Sequence, residues 1–259
     1  MKTCLIDQSC GLGDILMTIK IGCNYASKGY RVVWPVEPVY KNLQRKITTI
    51  ENIEFPCIHD VYSLKMKYEK LSRTNLSNVT DTDGILYVPI RKGLKSNFGI
   101  NLRRSCSHEA SNMLAKFGMC ELTHDDWQNY FYFNRDVERE SKIMKHLNIE
   151  DGDEIHIVNN KFGTPPRWNE TLKSNIVTPI NLKRVEMRMI EGYDLFDWIG
   201  LFEKAVKIDT VATSLVFMFE NINLSCIPTI YSRNKSNASA LEDFSLMKKI
   251  YNKEYSYKE

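Results

Sequence analysis

Strand-like and helix-like segments alternate through both halves of the 259-residue chain, which predicts an α/β protein of two Rossmann-like domains facing each other across a cleft. Two further observations point the same way. Near the start, a short apolar run, a glycine turn and an apolar helical pattern follow one another in one stretch, and a second such series opens with a strand at Glu154. The length also suits two modest cores. The domains are expected at 1–140 and 141–259, with the break between 135 and 150.

In the first half, a strand at 4–6 leads through Asp7-Gln8-Ser9-Cys10 into Gly11-Leu12-Gly13-Asp14, and a helix is expected over 15–25. Lys28-Gly29-Tyr30 fits a helix stop, and the β-branched run at 31–36 fits a buried parallel strand. Residues 3–36 therefore read as one right-handed βαβ unit. Further strands are expected at 53–58 and 85–89, and helices near 38–47 and 107–117. The polar, weakly patterned stretch 65–83 reads as a long connection.

The second half begins after an aromatic-rich stretch at 127–133 and a charged helix at 136–147. Asp151-Gly152-Asp153 turns the chain into a strand at 154–159. Strands at 184–189, 206–208 and 227–231 alternate with helices at 196–205 and 214–222. A polar loop, an amphipathic helix at 240–250 and a frayed tail after Tyr251 complete the reading.

Composition narrows the function classes. Hydrophobic residues at 43% and charged residues at 26% describe an ordinary globular protein, and no apolar run approaches the ~20 residues of a membrane span. Met1-Lys2-Thr3 leads directly into a strand without the pattern of a secretory signal, so a cytoplasmic protein is expected. The seven cysteines, at 4, 10, 23, 57, 106, 120 and 226, never form C-x-x-C, and the five histidines form no H-x-x-x-H pair. Reduced thiols and no protein-held metal are expected. The net charge of +3 lies wholly in the first half, where Arg91, Lys92, Lys95, Arg103 and Arg104 fall in a stretch free of acids. That cluster is either a polyanion-facing loop or a solvated charged surface.

Ligands of such sheets bind beyond the carboxyl ends of strands, which directs attention to four loops. The first is Gly11 to Asp14, where glycines let the backbone turn and a helix N-terminus favours negative charge. Asp14 is there either a first-turn helix stabiliser or a general base. The third glycine of a dinucleotide fingerprint is missing, and no acid cleanly ends the next strand, which argues against NAD. The second loop, 159–167, offers Asn159 for a sugar or base edge and Lys161 and Arg167 for phosphates. The third, 189–199, combines Glu191 and other acids with Phe196 and Trp198, both expected in the core. The fourth, 208–215, runs into a helix through Thr213 and Ser214, which can cap that helix and cradle a diphosphate.

Gly11-Leu12-Gly13-Asp14-Ile15-Leu16, Phe196-Asp197-Trp198-Ile199-Gly200-Leu201-Phe202-Glu203-Lys204-Ala205 and the Thr213-Ser214-Leu215 turn together resemble small GT-B glycosyltransferases, including the heptosyltransferase-like group and compact viral members. The resemblance implies a nucleotide-sugar donor, UDP- or GDP-linked, held mainly by domain two, an acceptor held mainly by domain one, and no other cofactor or metal. Carried over, Asp14 matches the base on the acceptor hydroxyl and Gly11 and Gly13 the turn beside it. Lys161 matches a donor-phosphate contact, Glu191 the ribose-binding acid, and Thr213 with Ser214 the diphosphate turn. Related turns often read Asp-Thr where this chain has Ala212-Thr213, which leaves open whether Asp209 or no carboxylate serves there.

The Asp7-Gln8-Ser9-Cys10 lead-in and the basic loop also resemble phage-type enzymes that glycosylate hydroxymethylated DNA bases. The expected acceptor is then 5-hydroxymethylcytosine in double-stranded DNA, extruded from the duplex, with Arg91, Lys92, Arg103 and Arg104 on its phosphates. The alternatives are transfer to a glycan or lipid-linked saccharide, and a non-catalytic nucleotide- or nucleic-acid-binding protein with a vestigial cleft.

Overall fold

The computed structural model describes residues 1–9, 11–66, 80–82, 84–90, 114, 116–162, 170–172, 175–232 and 248–258. They form two compact units, Met1–Tyr132 with Ser245–Ile250, and Phe133–Phe244 with Tyr251–Glu259.

The first unit contains β1 (Thr3–Ile6), α1 (Leu12–Ser27), β2 (Arg31–Val33), α2 (Leu43–Lys46), β3 (Ile47–Thr49), β4 (Ile53–Glu54), β5 (Thr80–Thr82) and β6 (Ile85–Val88). Its sheet has the order β4-β2-β1-β6-β5, parallel except for β5, which pairs antiparallel with β6. Helix α1 buries Leu12, Ile15, Leu16, Met17, Ile19 and Ile21. Such a nearly all-round apolar surface is that of a helix enclosed by its own domain. Gly22 permits the close approach of α1 to the sheet, because a Cβ there would lie 2.6 Å from Ile53 and 3.2 Å from the Trp34 ring. The one cation on the buried face, Lys20, reaches the Asp125 carbonyl at 2.6 Å and Asp126 at 2.7 Å.

The chain passes from the first unit to the second within β7 (Phe131–Phe133) and enters α3 (Val137–His146), capped by Asp136, which accepts from the Arg139 amide. The second unit continues with β8 (Ile155–Asn159), β9 (Lys161–Phe162), β10 (Glu170–Thr171), β11 (Lys183–Glu186), α4 (Ile199–Lys204), β12 (Lys207–Val211), α5 (Ser214–Phe219), β13 (Thr229–Tyr231) and β14 (Ser256–Lys258). Its sheet, β11-β8-β12-β13-β14, is parallel throughout. Every residue of β8 is buried, as a parallel strand covered on both faces requires.

Helix α3 joins the second unit through charge. Arg139 forms a two-pronged bond to buried Asp197 at 2.9 and 2.7 Å, and Arg135 pairs with Glu140 and Glu203. The units therefore divide earlier than 140. Near the C-terminus the chain returns once to the first unit, where the Trp127 indole donates to the Ile250 carbonyl at 2.9 Å.

Several local expectations need correction. The helix expected over 38–47 is a short 3-10 turn at Pro38–Tyr40 followed by α2, and the strand expected at 206–208 extends to Val211. Trp198 is in the core as expected, whereas Phe196 is half-buried against Phe133. The tail after Tyr251 is not frayed. It supplies β14, because Tyr255 is buried and donates its hydroxyl to Glu220 at 2.7 Å, and the same carboxylate accepts the Asn252 amide at 2.8 Å. Residues 91–113, with the basic cluster, and most of the expected helices at 107–117 and 240–250 lie outside the described residues. Among the described residues no helix is long and apolar enough to cross a membrane.

Candidate functional site

Each five-stranded sheet contains one point where the chain reverses its direction of growth. In the first unit β2 and β4 build outward on one side of β1 before β6 adds on the other. In the second, β11 lies on one side of β8 and β12 on the other. Ligands of parallel sheets bind in the crevice beyond the carboxyl ends of strands at such points. Of the loops singled out by sequence, 11–14 comes after β1, 159–167 begins at the last residue of β8, and 208–215 runs through the end of β12.

Beyond β1 the chain stays buried through Asp7, Gln8 and Ser9. The Asp7 amide donates to the Val88 carbonyl at 2.9 Å, so the lead-in extends the sheet register. Its carboxylate accepts the Tyr87 hydroxyl at 2.6 Å and lies 3.2 Å from the Lys65 ammonium. A second acid–lysine pair stands beside it. Lys116, whose side chain is only 2% exposed, donates to Gln8 Oε1 at 2.7 Å and to Asp14 Oδ1. Asp14 is in the first turn of α1, its side chain 35% exposed, so the carboxylate meets solvent on one side and a buried ammonium on the other.

Gly11 makes this placement possible. Its φ of 80° lies in the region that side-chain-bearing residues avoid, and a Cβ there would fall 2.4 Å from Asp14 Oδ2. Gly13 is buried within α1. We expect Gly11→Ala to force the carboxylate aside and to slow any reaction that uses it by up to ~10²-fold, the usual penalty for a misplacement of about 1 Å. Steady-state rates at saturating substrate check this.

In the second unit Asn159 ends β8 and is buried, its amide donating to Thr210 Oγ1 at 3.0 Å across the β8–β12 ladder. Its side chain ties the two strands together at the carboxyl edge. Lys161 is exposed on β9, and Glu191 is exposed in the turn before Asp194. Thr213 is the N-cap of α5, accepting the Leu215 amide at 3.4 Å, and Ser214 opens that helix. Arg167 lies outside the described residues, as do Arg91, Lys92, Arg103 and Arg104.

Asp209 is not on this edge. It is 1% exposed within β12 and accepts from His156 Nε2 at 2.7 Å, with the Lys207 ammonium at 3.1 Å. The fully buried His156 imidazole also meets the Thr178 hydroxyl through Nδ1 at 2.9 Å. Burial pushes its pKa below the ordinary 6.5, against the opposing pull of Asp209. This is an internal pair of the sheet, which answers the question that Ala212 raised: the Asp209 carboxylate is engaged away from the turn.

Sequence reasoning missed Lys116, Tyr87 and Lys65, and saw Asp7 only as part of a lead-in. The partners stand 102 residues apart for Lys116 and Asp14 and 80 for Tyr87 and Asp7, and no local spacing marks them. The buried thiols are poor nucleophiles, since desolvation raises Cys120 and Cys23 to about 11 and Cys4 further.

No protein-family model and no curated protein matches the sequence. Solved structures do. A glycosyl transferase of family 9 from Veillonella parvula is 11% identical with a TM-score of 0.50, over 94% of this chain and 83% of that one. The ADP-heptose LPS heptosyltransferase II of E. coli is 10% identical with a TM-score of 0.47, over 94% of this chain and 88% of its own. The E. coli heptosyltransferase WaaC, solved with ADP-2-deoxy-2-fluoro heptose, is 12% identical with a TM-score of 0.40, over 96% and 99%. At such identities a likeness speaks to fold alone. On the first of these structures, the chain has the GT-B-type fold that the resemblance implied, in the α/β class that its alternating strands and helices predict.

Proposed function

We propose that the protein is a glycosyltransferase that moves a sugar from a nucleoside-diphosphate sugar to a hydroxyl of a saccharide acceptor. The observation that carries this reading is the fold shared with a family 9 glycosyltransferase along nearly the whole chain. The polar groups at the two strand-end sites give it a chemistry.

In this reading the acceptor hydroxyl attacks the anomeric carbon while Asp14 takes its proton, and the bond from that carbon to the diphosphate breaks with the electron pair leaving on the diphosphate oxygen. General-base assistance of this kind contributes ~10²- to 10⁴-fold. Lys161, the hydroxyls of Thr213 and Ser214 and the backbone amides of their turn meet the charge that grows on the leaving group. Glu191 receives the ribose hydroxyls, and Asn159 holds the β8 edge against β12. One base and one leaving-group site suffice for a single displacement, so inversion at the anomeric carbon is the outcome we favour. The donor is the sole cofactor in this scheme, with no metal.

The saccharide replaces DNA as the acceptor we propose. Nothing in the comparisons supports a hydroxymethylcytosine target, and the basic residues that prompted it are outside the described residues. A saccharide asks only for a hydroxyl within reach of Asp14.

Calorimetric titration with UDP-sugars, GDP-sugars and NAD tests the donor class. Binding of one nucleotide sugar is expected, and binding of NAD in place of all of them overturns the proposal. Lys161→Ala should weaken that donor by roughly 10- to 100-fold, the worth of a charge-assisted hydrogen bond. Unchanged affinity removes Lys161 from the phosphate site.

A further inference from the structure

We propose that Lys116 is the positioning residue of the candidate base, holding the Asp14 carboxylate by one oxygen so that the other is presented to the acceptor. The inference rests on the functional reading above and adds a residue to it.

A buried ammonium is costly. Removing it from water costs several kcal/mol that only close partners offset, and replacing a buried ion pair by packed apolar residues is often neutral or stabilising. A lysine whose side chain is 2% exposed is therefore a poor choice for holding up a core. Here it joins two groups from the segment that follows β1: Gln8 Oε1 at 2.7 Å and Asp14 Oδ1. Gln8 is itself 3% exposed, and its backbone carbonyl accepts the buried Trp34 indole at 2.9 Å, so the support beneath the ammonium is fixed to the sheet.

Asp14 is the one member of this trio that solvent reaches. An exposed first-turn aspartate ordinarily exchanges among staggered rotamers. This one is held at Oδ1 by Lys116, while the lack of a side chain on Gly11 leaves the room that Oδ2 occupies. The Oδ2 oxygen is the one left to take a proton. Catalytic geometry tolerates little error, and locked rotamers backed by buried hydrogen bonds are how it is kept.

The test is a double-mutant cycle on the full chain with Lys116→Met, Asp14→Asn and the two combined, read as kcat and donor KM. Lys116→Met should lower kcat at least ~10-fold with donor KM within about twofold, since positioning acts on the reacting geometry. In the Asp14→Asn background the same substitution should change kcat by less than about twofold, because the group it positions is gone. Equal losses in both backgrounds overturn the proposal, for they assign Lys116 a general structural role. Should the methionine variant fail to fold, Lys116→Gln takes its place in the same cycle. If the wild-type protein transfers no sugar, the functional reading fails by itself. Thermal melts of the same four proteins then test the pairing, and additive shifts in Tm contradict it.

Discussion

Asp14→Asn is expected to lower kcat for sugar transfer by ~10²- to 10⁴-fold while donor affinity stays within about twofold. Asparagine has nearly the same shape as aspartate, and its carbonyl oxygen still offers Lys116 an acceptor, so the buried ammonium keeps a partner. What disappears is the capacity to take a proton at neutral pH. The helix also loses a first-turn negative charge, worth about 0.3–1 kcal/mol at an exposed site, which is too little to unfold a domain. Pre-steady-state and steady-state rates at saturating donor, set beside calorimetric donor affinity, separate the two effects. Unchanged turnover removes Asp14 as the base, and an equal loss of donor binding assigns it to the ground-state complex instead.

The largest effect on stability is expected at the buried pair in the second unit. Asp209→Ala leaves His156 Nε2 without its 2.7 Å acceptor in a site closed to water, and takes from Lys207 the carboxylate 3.1 Å away. Leaving a buried neutral donor without its acceptor costs about 1–3 kcal/mol, a fall in Tm of roughly 5–10 °C for a domain of this size. The pair also sets a pH dependence. The folded-state pKa of His156 is depressed chiefly by burial, so below the ordinary value of 6.5 the unfolded chain takes up a proton that the folded chain refuses. Stability from this group is therefore fully present above about pH 6.5 and declines as pH falls below it. Urea midpoints between pH 5 and 8 should drop on the acid side in the wild type, and His156→Gln should flatten that drop. A wild-type midpoint that rises on acidification contradicts the assignment of a neutral buried imidazole.

What could be read from the sequence follows from where the information is local. The β1–turn–α1 unit was legible because an apolar run, a glycine with positive φ and a helical repeat are neighbours in the chain, and Asp14 came with them. Strand β8 was legible for the same reason, as five apolar or buried residues framed by a turn and a loop. The Lys116 contact was not, since one lysine near the end of an expected helix carries no mark of the carboxylate it meets 102 residues earlier. Strand β14 was hidden by composition: Lys, Glu, Asn and Ser dominate the tail, while its order comes from Tyr251 and Tyr255 in the core and from Glu220, a residue of a different segment. The open question at Ala212 was likewise tertiary, because the fate of Asp209 depends on a histidine in the neighbouring strand.

The central claim is sugar transfer from a nucleoside-diphosphate donor to a saccharide hydroxyl. Mass spectrometry of two acceptor sets, oligosaccharides and hydroxymethylcytosine-containing duplex DNA, after incubation with the donor that binds, measures it most directly. The account predicts one added sugar residue on a saccharide, abolished by Asp14→Asn, with the DNA mass unchanged. Added mass on the DNA alone, or on neither acceptor while the donor is bound, contradicts it.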